Sequence, residues 1–103
     1  MSLPDHLWIG PFRVEVGMLT QDEALAQGLN GRWLPAKQRI EVASICVEQA
    51  QIDTLLHEAL HAIWDVVDMP TENEEAIVSR LSPQLMLLFQ RNPSLRDVLF
   101  KGE

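Results

Sequence analysis

The chain has no tyrosine, one cysteine and no basic run. Each scarcity excludes something. A lone cysteine, Cys46, forms no internal disulfide, so the fold is not a disulfide-stapled secreted scaffold. Its neighbours Ala43-Ser-Ile-Cys-Val47 make it a packing residue rather than a ligand or nucleophile. The first residues, Met1-Ser-Leu-Pro-Asp-His6, carry neither a basic flank nor an apolar run, and with the single thiol they suggest a cytoplasmic setting. The longest apolar run, Leu85-Met-Leu-Leu-Phe89, falls far short of the roughly 20 residues that a membrane span needs. The formal charge is −7. With no basic patch to meet phosphates, nucleic acid is an unsuitable partner. No internal repeat, low-complexity tract or linker divides the 103 residues, so residues 1–103 are read as one domain. Hydrophobic residues are 47% of the chain, enough to build a modest core.

What is present is the pentad His57-Glu58-Ala59-Leu60-His61, an H-E-x-x-H pattern. It lies inside a helical repeat of apolar residues: Ile52, Leu55, Leu56, Ala59, Leu60, Ile63, Trp64 and Val67. The first turn falls near Asp53 or Thr54, or as early as Gln49 to Gln51, and Met69-Pro70 ends the helix. Histidines four apart stand one above the other on a helical face, so both imidazoles reach a single metal ion. Glu58 is placed to activate a metal-bound water. His57, His61 and Asp65 form a polar line beside the apolar stripe. Asp65 is read either as a partner for the spare ring N–H of a ligating histidine or as an ordinary surface aspartate.

A catalytic zinc site needs a third protein ligand and an open position. The only other histidine, His6, is near the terminus and reads as a surface residue. The segment Glu72-Asn73-Glu74-Glu75 opens a second helix whose apolar stripe is Ile77, Val78, Leu81, Leu85 and Leu88. Glu74 lies on that stripe, and a carboxylate facing inward needs a partner. Thr71-x-x-Glu74 also matches a capping box, which would occupy Glu74 and hand the ligand role to Glu75. The expected metal set is therefore His57, His61 and Glu74, with Glu75 as the alternate.

The remaining chain reads as a small antiparallel sheet ahead of the metal helix. Leu7 to Ile9 and Phe12 to Val16 are strands around Gly10-Pro11. A short helical turn covers Asp22 to Gln27. Arg32 to Leu34 and Arg39 to Val42 form a hairpin around Pro35 to Gln38. Arg32 to Leu34 is a candidate edge strand for pairing with an extended peptide. Ser82-Pro83 predicts a kink or restart in the second helix, with Ser82 as N-cap. Asn92-Pro93 ends that stretch, and Ser94 caps a last helix through Phe100. Trp8, Trp33 and Trp64 read as core or rim packing.

His57-Glu58-x-x-His61 followed by a helix opening with Asn73-Glu74 resembles the gluzincin branch of the zincin metallopeptidases. The stretches Thr54 to Ile63, Glu74 to Leu81, Arg91-Asn-Pro93 and the upstream Gly31 to Val42 are similar to small phage-type zincin-like proteins, shorter than ImmA/IrrE-type peptidase domains. The resemblance implies an α+β minimal zincin-like domain: a small sheet, the active-site helix, then a second, kinked helix. It implies Zn2+ as cofactor, His57 and His61 as ligands, Glu58 as general base and Glu74 or Glu75 as third ligand. The expected activity is zinc-dependent hydrolysis of a peptide or protein substrate. The alternative is a non-catalytic, metal-stabilised interaction module. Many zincins stabilise the oxyanion with a tyrosine or a distant histidine. Here only His6, an arginine (Arg13, Arg32, Arg39 or Arg80) or backbone amides are available.

Overall fold

A computed structural model describes residues 3–100. The elements in chain order are β1 (His6–Ile9), β2 (Phe12–Leu19), α1 (Gln21–Gln27), β3 (Gly31–Leu34), a 3-10 turn (Pro35–Lys37), β4 (Arg39–Ala43), α2 (Glu48–Val66), α3 (Glu74–Arg91) and α4 (Pro93–Leu99). The α+β architecture and the β3–β4 hairpin agree with the sequence pattern, and β1 and β2 are two strands paired antiparallel. The sheet, however, is mixed rather than antiparallel. Its order is β1-β2-β4-β3, and β2 runs parallel to β4. After β2 the chain crosses over through α1 and lays β3 on the far edge. The β3–β4 hairpin then returns β4 into the space beside β2, in the direction of β2. β2 runs on to Leu19, beyond the expected Val16, because residues 15–19 pair with β4 while residues 12–15 pair with β1.

Alternation in the strands makes two faces. Ile9, Val14, Ile40 and Val42 point to one side and are buried against Ala59 and Ala62 of α2. Alanines at the contact let the helix sit close to the sheet. Leu19 and Ala43 point to the other side, where they meet Ala24 of α1 with Cys46 and Leu29 packed against them. Cys46 is thus the packing residue its neighbours suggested. α1 is capped by Thr20, whose hydroxyl accepts from the Glu23 amide, and stops at Gly28, which adopts a left-handed conformation (φ 63°). The rest of the outer face carries a charge ladder. Glu41 accepts from Arg32 Nε at 2.6 Å and from Arg39 Nε at 3.0 Å, and Arg39 also reaches Glu15. Burial alone would raise the Glu41 pKa, but the two guanidinium groups outweigh it and hold the carboxyl below its ordinary value.

α2 starts at Glu48, one residue before the earliest expected start at Gln49, and no helix among the described residues is long and apolar enough to cross a membrane. α3 continues through Pro83 as one helix, so the expected restart with Ser82 as N-cap does not occur. Ser82 is instead buried within the helix. α4 begins at Pro93, with Asn92 in the cap position in place of Ser94. The expected stripe of α3 is only partly inward: Val78 is buried, whereas Ile77, Leu81 and Leu88 are exposed.

One contact fixes how α2 meets the sheet. A Cβ added to Gly31 would lie 2.4 Å from Thr54 Cγ2 and 2.8 Å from the Glu41 carbonyl oxygen. The absence of a side chain lets β3 lie directly on the pentad-bearing helix. Gly31→Ala is expected to destabilise the protein by about 1–3 kcal/mol through overpacking, read as a lower urea midpoint with unchanged slope.

Candidate metal centre

A groove of about 720 Å³ opens between β3, α2 and α3. His57, Glu58 and His61 form its floor. Gly31, Arg32 and Trp33 make one wall, and Glu74, Glu75 and Ser79 lie on the other. The two imidazoles lie one helical turn apart and meet edge to face, with His57 Nε2 and His61 Nε2 separated by 3.2 Å. The connection from α2 to α3 turns sharply through Asn73, which has φ 65° and begins α3 without a side-chain cap. That turn delivers two consecutive carboxylates to the histidines.

They arrive at different atoms. Glu75 Oε1 lies 3.1 Å from His57 Nε2, and its Oε2 lies 2.7 Å from His61 Nε2. Glu74 Oε2 lies 2.5 Å from His61 Nδ1, on the opposite side of the same ring. The favoured expectation of Glu74 in the ligand set is therefore not the arrangement present. His57, His61 and Glu75 form the group whose donor atoms all lie within 4.8 Å of one another, and Glu74 faces the nitrogen that points away from it. The capping box does not form either: the Glu74 amide bonds the Thr71 carbonyl while its side chain serves His61.

Neighbouring groups fix both carboxylates. The Ser79 hydroxyl donates to Glu75 Oε1 at 2.9 Å. Burial pushes the Glu75 pKa up, but the Ser79 bond and the two imidazoles dominate and lower it. Burial pulls the His61 pKa down, yet the bond to Glu74 and the charges of Glu75 and Glu58 raise it overall. Asp65, a candidate partner for the spare ring N–H of a histidine, instead accepts from Trp33 Nε1 at 2.7 Å. That bond ties β3 to α2 one turn beyond the pentad. Trp64 is likewise committed, donating its indole N–H to the Pro70 carbonyl.

Glu58 is buried at the groove floor, beneath the strand wall at Gly31. Desolvation raises its pKa, opposed by His57 and His61 and reinforced by Glu75.

The charged candidates for oxyanion stabilisation lie elsewhere. His6 is on β1, the far edge of the sheet, bonded to Asp5. Arg13 and Arg39 are engaged by Glu15 on the outer face. Arg32 borders the groove, but its guanidinium is spent on Glu41, Glu23 and Gln27. Arg80 is exposed on α3 and does not line the groove. Sequence reasoning passed over Ser79 and read Ser82 only as a helix cap. Both lie on the helical line of Glu75 at i+4 and i+7, a spacing that would have found them.

The donor set fits zinc. Two nitrogens 3.2 Å apart, each at the usual Zn–N distance of about 2.0–2.1 Å, subtend roughly 100° at the ion, close to tetrahedral. In neutral His61 with Nδ1 donating to Glu74, Nε2 presents a lone pair toward Glu75 and His57. A cation there, either a metal ion or the proton that the raised His61 pKa favours, relieves the convergence of acceptors.

Against known proteins, the chain matches no family model, and no curated protein or solved structure is similar to it. None of these comparisons identifies a zincin-like family.

The raised Glu58 pKa has a thermodynamic consequence. A carboxyl whose folded pKa is raised contributes stability below its ordinary value of 4.5, and that contribution is lost as pH rises through the folded pKa. Glu58→Gln is expected to raise the melting temperature of metal-free protein at about pH 8, with the gain shrinking toward about pH 4. An equal gain at both ends would show that charge burial is not its source.

Proposed function

We propose that this protein is a zinc-dependent peptidase of zincin type. The convergence of His57 Nε2, His61 Nε2 and the Glu75 carboxylate beside the buried Glu58 carries the reading. Bound there, zinc would supply an acidified water and polarise a peptide carbonyl. Glu58, within the same groove, would be the base that takes a proton from water and returns it to the leaving amine. Ser79 orients Glu75. Glu74 accepts the Nδ1 proton of His61 and so keeps Nε2 free to ligate. An extended substrate would align along β3, an edge strand bordering the groove, by strand addition. The half-buried single thiol is compatible with a cytoplasmic location.

A second reading, a metal-stabilised interaction module without turnover, is favoured by one observation. Among the described residues no uncommitted cationic side chain reaches the groove, so no evident side chain completes an oxyanion hole.

Metal analysis and peptide cleavage test both readings. Purified protein is expected to hold about one zinc per chain. His61→Ala and Glu75→Gln should lose it. Glu74→Gln should retain it with affinity lower by about 10–100-fold. Glu58→Gln should keep zinc and lose cleavage of a peptide library; turnover persisting in pure Glu58→Gln protein rules out the mechanism. Zinc binding with no cleavage by the unmodified protein, and unfolding on chelation, would establish the module instead.

A further inference from the structure

The arginines of this chain are unequally partnered. Arg13, Arg32 and Arg39, all in the sheet, are each paired with glutamates. Arg80, Arg91 and Arg96, all on α3 and α4, have no carboxylate partner among the described residues. Carboxylates are in excess in this chain, 15 against 8 basic residues, so scarcity of acid is not the reason. Residues 76–100 carry three arginines against Asp97 alone, a cationic segment on an anionic protein.

The same segment leaves apolar side chains in water. Ile77, Leu81 and Leu88 are 42%, 42% and 44% exposed, and Val98 of α4 and Phe100 just after it are 70% and 60% exposed. Positions 77, 81 and 88 fall within roughly 40° of one another around a helix, so they form one stripe along α3. Arg80 and Arg91, also spaced by eleven residues, run along one flank of it at roughly 60°. Val78 and Ser82, the buried residues of α3, lie on a different side. Such an apolar stripe edged by one sign of charge is the form of a helix-binding surface.

We propose that the exposed stripe of α3 docks an acidic amphipathic helix of another protein, with Ile77, Leu81 and Leu88 covered by its apolar side chains and Arg80 and Arg91 paired with its carboxylates. A second copy of the chain is a poorer occupant, because a two-fold pairing of α3 sets unpaired arginines against their own copies. An anionic bilayer is also a poorer one. A flat surface meets the whole molecule, charge −7, whereas a single helix within a screening length of about 8–10 Å meets mainly these arginines.

The test uses a synthetic helical peptide of about three heptads, leucine at the core positions and glutamate on the flanks, with a lysine-flanked peptide as its counterpart. Titration is followed by amide NMR shifts of the full chain. The glutamate peptide is expected to shift residues of α3, to bind at least about ten-fold more weakly to Arg80→Glu/Arg91→Glu protein, and to weaken as salt is raised. Leu81→Asp should abolish binding. Should the charge variant fail to fold, the salt dependence and peptide preference of unmodified protein decide the matter. No binding, equal binding of both peptides, or shifts confined to other elements overturns the proposal. So does sedimentation as a dimer that Leu81→Asp dissociates, or capture by phosphatidylserine vesicles without binding of the glutamate peptide.

Discussion

His61 is held on both sides of its ring by carboxylates from consecutive residues, and the architecture of the groove depends on that grip. Consecutive helical residues point about 100° apart, so they rarely serve one side chain. They do so here because α3 starts abruptly after a left-handed Asn73, which places Glu74 beside the ring and carries Glu75 across its far edge. The two roles divide cleanly. One carboxylate meets Nδ1 of His61, and the other lies beside the Nε2 atoms of both histidines. The same contacts clamp the end of α2 to the beginning of α3, so the geometry of the site and the packing of the two helices are one problem.

That clamp is made of charges at modest depth, in a chain whose hydrophobic core is small. The sheet and α2 bury a few aliphatic side chains and two alanines, and the second cluster under α1 is smaller still. Grouping His57, Glu58, His61 and two further glutamates at one place concentrates unfavourable desolvation and repulsion there. A divalent cation would offset much of that repulsion, linking metal occupancy to fold stability.

The sequence made the local structure largely legible. Periodicity located α2, the strands and the β3–β4 hairpin, and the pentad marked the candidate site, because these depend on residue spacing within single elements. What it did not reveal depends on how elements meet. The parallel pairing of β2 with β4 follows from a crossover that no short-range pattern encodes. Glu74 was favoured over Glu75 because it lies on an apolar stripe, yet the stripe is half exposed and the turn at Asn73 brings the Glu75 carboxylate, rather than that of Glu74, to the Nε2 atoms. Asp65 sits at the right spacing to serve His61 but finds the Trp33 indole, which is brought in from 32 residues away in sequence. Pro83 is compatible with an unbroken α3 despite its missing amide.

That missing amide has a further effect on the groove. With no N–H at Pro83, the carbonyl of Ser79 lacks its usual i+4 donor, and both residues belong to the α3 wall. Facing it across the cleft is β3, the last strand of its sheet, whose outward main-chain groups have no neighbouring strand. Hydrogen-bonding capacity in the backbone is thus left over on both banks of the cleft.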